Sequence, residues 1–203
     1  MKILGVVAVL PVAVGLAAAR PAEAQAVEVF PAIGYRAGVP SFVYGYGEGG
    51  DAAGGVSFGV AVDVRYAPDR AVEGLFSRQV ADIVFRDVSN TPSRVRFTVD
   101  YWHGGGIREF GAGRVRPFLA GTLGLTRYGQ AGSSFYRFSV GAGGGVKLRP
   151  SPHVGVRLDA RLYTTIVAGD TTVGICGGAG CILYISAGAA WQADFSAGLV
   201  FAF

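Results

Sequence analysis

Read at every second position, residues 191 to 203 carry an unbroken apolar face: Trp191, Ala193, Phe195, Ala197, Leu199, Phe201 and Phe203. The alternate positions, Gln192, Asp194, Ser196, Gly198, Val200 and Ala202, are small or polar apart from Val200. A period of two predicts a strand with two chemically different faces. The same alternation sets Phe58, Val60, Val62, Val64 and Tyr66 against Ser57, Gly59, Ala61, Asp63 and Arg65. It also sets Val154, Val156, Leu158, Ala160 and Leu162 against Gly155, Arg157, Asp159, Arg161 and Tyr163. Eight segments read as strands: 27–37, 55–66, 71–84, 94–109, 114–128, 135–149, 154–167 and 182–203.

The connections alternate in length. Short proline-bearing links occupy 67–70 and 150–153, and 110–113 is a third, with Gly104-Gly105-Gly106 as a candidate bulge just before it. The intervening links 38–54 and 168–181 are long, and 129–134 is the shortest of that group. An even strand number with tight turns on one side predicts an all-β, eight-stranded antiparallel up-and-down transmembrane barrel. Its apolar faces would meet lipid, and both termini would lie on the short-turn, periplasmic side. A soluble barrel enclosing an apolar ligand predicts the reverse, an apolar interior and a polar exterior.

Composition supports the lipid-facing version. Hydrophobic residues make up 51% of the chain beside 33 glycines, and mean hydropathy is +0.41. Yet beyond the N-terminus no apolar run is long enough for a membrane helix. Lys2, the apolar stretch 3–19 and Ala22-Glu23-Ala24 read as a cleaved signal peptide over 1–24, leaving a barrel domain over 25–203. The net charge of +4 is scattered, so no nucleic-acid surface is expected. Cys176 and Cys181 in CGGAGC are most simply a disulfide in an exported protein. A zinc site would need further ligands that the neighbourhood lacks. No metal and no cofactor is expected.

Charged residues at the alternate positions define a candidate interior: Asp63, Arg65, Glu73, Arg96, Asp100, Arg116, Arg137, Lys147, Arg157, Asp159, Arg161 and Asp194. Both signs occur together, which predicts a plug of ion pairs. The competing expectation is a narrow water path opened by Gly141, Gly143, Gly145 and Gly155, making a small pore for passive diffusion. A lipid-modifying enzyme is a third class. Ser77 and Glu73 share a face of the third strand, but His153 falls in a turn and His103 is expected near the periplasmic end of the fourth strand. No catalytic residue is therefore assigned. Phe42, Tyr44 and Tyr46 in the first long loop suit either a contact surface or a strand extended to the interface.

Several stretches carry a family resemblance: Arg116-Pro117-Phe118 entering a glycine-rich strand, FSVGAGGGVKL at 138–148, EGLFSRQ at 73–79 and the terminal FSAGLVFAF. The chain resembles the small outer-membrane β-barrel proteins of Gram-negative bacteria, the OmpA/OmpX-like and porin-like group. The resemblance implies an integral outer-membrane barrel and specifies architecture more than activity. With no catalytic set assigned, the expected role is structural or surface interaction through the loops, without enzymatic activity. The expected partners are outer-membrane lipid at the apolar faces and a surface ligand at loops 38–54 and 168–181, and the resemblance adds the barrel-assembly machinery. It also implies that the terminal strand, with Trp191, Phe195, Leu199, Phe201 and Phe203, is read as an assembly signal.

Overall fold

In the computed structural model the described residues are 27–38, 54–86, 92–130, 133–166, 176–177, 180–181 and 189–203. Every regular element among them is a strand: β1 (Val27–Ala37), β2 (Gly55–Ala67), β3 (Arg70–Arg86), β4 (Pro92–Glu109) and β5 (Val115–Gln130). There follow β6 (Ser133–Leu148), β7 (Val154–Ile166), the short β8 (Cys176–Gly177) and β9 (Gly180–Cys181), and β10 (Ala189–Ala202). Strands β1 to β7 and β10 form a closed barrel of antiparallel neighbours, with β10 returning to β1. The expected eight-stranded up-and-down architecture is the observed one. The last barrel strand begins at Ala189 instead of 182, and 182–188 lie outside the described residues. So do residues 1–24, expected to be a signal peptide, and the loop aromatics Phe42, Tyr44 and Tyr46.

Closure removes both sheet edges, which lipid could not hydrate. The β1–β10 register is complete except at Phe30 and Pro31. Val27 and Phe203 exchange both backbone bonds, at 3.3 and 2.9 Å. Rungs of that type recur every second residue, so Pro31 falls where an N–H would face β10, and proline has none. The expected bulge at Gly104-Gly105-Gly106 is absent, because β3 and β4 pair without interruption from Arg70–Arg108 to Arg86–Pro92. A register shift occurs instead between Arg65 and Ala67, beside the turn Pro68-Asp69.

The short turns gather at one rim and are tied to one another. Glu109 N–H donates to Asp69 at 2.8 Å, Arg149 N–H to Arg114 at 2.8 Å, and Ala202 N–H to His153 at 2.8 Å. Gly111 turns the β4–β5 corner at φ 81, a conformation a side chain would strain. At the opposite rim the β3–β4 and β5–β6 hairpins stand above their neighbours, since β2 starts at Gly55 and β7 stops at Ile166.

The two faces of the wall are inverted relative to a soluble protein. Ile33, Phe58, Leu119, Leu123, Phe195 and Leu199 are exposed on the outside, whereas Arg36, Arg157, Glu28, Glu73 and Gln79 are fully buried inside. Leaving that apolar surface in water would forfeit the burial that stabilises ordinary domains. A contiguous apolar belt of this kind fits hydrocarbon as its solvent.

Candidate functional site

The interior is built in layers along the axis. Near the short-turn rim, Lys147 Nζ donates to Glu28, Asp63 and Glu109 at 2.7, 2.8 and 2.9 Å. Arg65 bridges Glu28 and Glu109 at 2.8 and 3.0 Å, and Arg149 joins the same two carboxylates. One level further in, Arg157 reaches Asp63, Glu73 and Asp159 at 3.1, 2.8 and 2.6 Å. Its guanidinium lies over Phe30 and Phe118 at 4.6 and 4.5 Å from the ring centroids. Arg161 forks onto Glu73 at 2.6 and 2.9 Å and also holds Asp159. Each named carboxylate therefore meets at least two cations, the condition under which buried charge is tolerated.

Above this floor, Arg36 pairs with Asp194 at 2.9 Å, donates to Ser77, and lies over the Tyr101 ring at 4.6 Å. Tyr101 stacks on Tyr163 at 4.2 Å. His103 packs edge-on against both rings, its nitrogens bonded to Thr122 at 2.9 Å and Ser139 at 2.8 Å. A cavity of about 20 Å³ remains between the layers, bordered by Ser57, Ser77, Asp159, Arg161 and Asp194. That is room for about one water. Nearer the tall rim, Tyr101 donates to Gln192 at 2.6 Å and Gln192 donates to the Gly38 carbonyl at 2.7 Å. Tyr128 stacks between Phe97 and Phe135, at 5.7 and 5.2 Å.

The solved structures similar to this chain share that architecture. The Neisserial surface protein A crystal structure aligns with a TM-score of 0.57 at 16% identity, over 88% of this chain and 97% of that one. The outer membrane protein OprG from Pseudomonas aeruginosa aligns with a TM-score of 0.58 at 8% identity, over 88% and 96%. This chain has the fold of the small outer-membrane barrels. No protein-family model and no curated protein matches it.

Within this outer-membrane barrel fold, the candidate interior residues divide. Asp63, Arg65, Glu73, Lys147, Arg157, Asp159, Arg161 and Asp194 lie inside, in the layers above. Arg116 reaches Glu109 from the turn rim at 3.4 Å, and Arg137 caps the Phe135 ring at the other end. Asp100 and Arg96 were expected inside and are not. On β4 the inward positions are Phe97, Val99, Tyr101 and His103, all buried, so Arg96, Asp100 and the exposed Trp102 share the outward face. Near the tall rim the interior holds aromatic, apolar and uncharged polar side chains, Phe97, Val99, Tyr128, Gln79 and Gln192 among them, and on β4 the charge moves to the wall's exterior.

Among the described residues, four charged interior residues were missed: Glu28, Arg36, Glu109 and Arg149. The signal for the first two was present, since Glu28 and Arg36 alternate with the outward Val29, Ile33 and Tyr35. Three of the four glycines expected to line a water path, Gly141, Gly143 and Gly145, instead border large side chains. A Cβ on Gly145 would strike the Phe118 ring, one on Gly143 would strike Arg161, and one on Gly141 would press on Tyr163. Their missing side chains make space for these larger ones. His103 sits mid-barrel, not at the periplasmic end, and both its nitrogens are taken by hydroxyls. Ser77 is bonded to Arg36 and Glu73 to two arginines, so those residues are not arranged as a nucleophile, base and acid.

The outward set of the terminal strand, the aromatic Trp191, Phe195, Phe201 and Phe203 with Leu199, is exposed on the outside. Cys176 and Cys181 are opposite each other in the β8–β9 ladder, and their side chains lie outside the described ones.

Proposed function

We propose that this chain is an integral outer-membrane protein of a Gram-negative bacterium, acting through envelope structure and its outer rim, without conducting or catalysing. The observation that carries the reading is the pairing of an apolar exterior with an interior crossed at each level by bonded side chains. An eight-stranded barrel has room for little more than its own side chains. The fold shared with two outer-membrane barrels supports the location. Outer-membrane lipid would contact the apolar belt, and the assembly machinery would read the terminal strand. A surface ligand would meet the loops 38–54 and 168–181, the second of them braced by a Cys176–Cys181 disulfide.

Planar-bilayer recording of the refolded protein tests the non-conducting interior. The expected result is a barrel that inserts and gives no large, stable, single-size openings. Regular openings of that kind would overturn it in favour of a diffusion pore.

A further inference from the structure

Among the described residues, two outward charged sets lie outside the interior lattice. A loose one sits at the turn rim, where Arg70 and Arg108 stand 3.7 and 3.6 Å from a half-exposed Asp69, and a tightly bonded one lies at the far end of the wall. Arg78 and Arg127 flank Asp100 on adjacent strands, in register Arg78–Asp100–Arg127. Arg78 forks onto Asp100 with two bonds of 2.7 Å, and Arg127 adds a third at 3.2 Å. The Asp100 side chain is 1% exposed, whereas those of Arg78 and Arg127 are 37% and 34% exposed. Two guanidinium groups therefore share one covered carboxylate, leave a net positive charge, and still present N–H donors to the surroundings. Directly beside them on the same face stand Trp102, packed on Phe76 at 4.4 Å, and the exposed Leu125 and Tyr136.

The height of the cluster matters. Arg108, exposed at the turn rim beside Asp69, and Asp100 bracket the outward run Gly106, Gly104 and Trp102 on β4. Eight residues at a rise of about 3.3 Å, tilted about 40°, place Asp100 roughly 20 Å further along the axis. That distance is close to the height of an apolar transmembrane band, so the arginines sit at its far edge, where hydrocarbon gives way to headgroups. A cation there with an apolar shelf below it is complementary to an anionic headgroup with acyl chains attached.

We infer that Arg78, Asp100 and Arg127 form a docking site on the outer wall for the phosphate-monoester headgroup of a lipid in the outward leaflet. Asp100 orients the two guanidinium groups, the phosphate takes their remaining donors, and the chains lie on Trp102, Phe76 and Leu125. The inference rests on the membrane placement proposed above.

The test uses the full chain refolded into phosphatidylcholine nanodiscs doped with either dioleoyl phosphatidic acid or dioleoylglycerol, which differ only in the phosphate. Lipid retained on the released barrel is counted by native mass spectrometry. Phosphatidic acid is expected to be retained at least tenfold over dioleoylglycerol. That preference should fall about tenfold in the Arg78→Gln/Arg127→Gln pair and persist in Arg108→Gln. Equal retention of the two lipids by the unaltered protein would overturn the inference, as would an unchanged preference in the paired variant. Inorganic phosphate that competes as effectively as phosphatidic acid would overturn the lipid assignment. If the barrel enters the bilayer and shows no preference, only this inference falls. A barrel that never enters would bring down the membrane placement as well.

Discussion

Arg157→Met is expected to cost the barrel about 3–5 kcal/mol of folding stability, the range for breaking a buried ion pair from one side. The change removes the cation that Asp63, Glu73 and Asp159 share and leaves those carboxylates with fewer counter-charges inside a wall they cannot leave. It also removes the guanidinium that lies over the Phe30 and Phe118 rings. Urea titration of the refolded protein in detergent micelles, followed by tryptophan fluorescence, gives the measurement. Arg157→Lys should lose less, because it keeps the charge while giving up the planar fork and the ring contacts. A methionine variant within about 0.5 kcal/mol of the original would show that the lattice does not hold the barrel together.

The second large effect belongs to the other face. Leu123 is 60% exposed and pairs across the wall with Gly104 and Val140. Gly104 lies midway along β4 between Arg108 and Asp100, so Leu123 stands at the middle of the apolar band. Leu123→Arg should destabilise the barrel by about 2–4 kcal/mol in a bilayer, the cost of an arginine facing lipid at midplane. Refolding yield and urea midpoint in lipid vesicles measure it. In a water-soluble barrel the same exposed position would tolerate arginine within about 0.5 kcal/mol, and that outcome would contradict a lipid-facing wall.

The wall was legible in the sequence because its two faces meet two different solvents along the whole strand. Phe195, Ala197 and Leu199 alternate with Asp194, Ser196 and Gly198 whatever the neighbouring strands do. The floor of the interior was legible for the same reason, since Asp63, Arg157 and Asp159 alternate along their strands with the outward Val62, Val64, Val156 and Leu158. What alternation did not reveal is where the rule reverses. Toward the tall rim, Phe97, Val99 and Tyr101 are the inward residues of β4, and Asp100 turns outward to Arg78 and Arg127. A charge outside the hydrocarbon band loses little by facing outward, so polarity alone stops identifying the inner face there. Nor could spacing show what the glycines were for. Gly145 reads as empty space until Phe118, from the neighbouring strand, is seen to fill it.

The claim underlying the whole account is that the exposed apolar face meets lipid. The chain holds two tryptophans, Trp102 and Trp191, and both point outward, 54% and 56% exposed. Fluorescence quenching in vesicles made with brominated phosphatidylcholine reads that contact directly, with aqueous iodide as the counterpart. The account predicts strong quenching by the brominated lipid and weak quenching by iodide. Emission quenched by iodide and untouched by the brominated chains would contradict it.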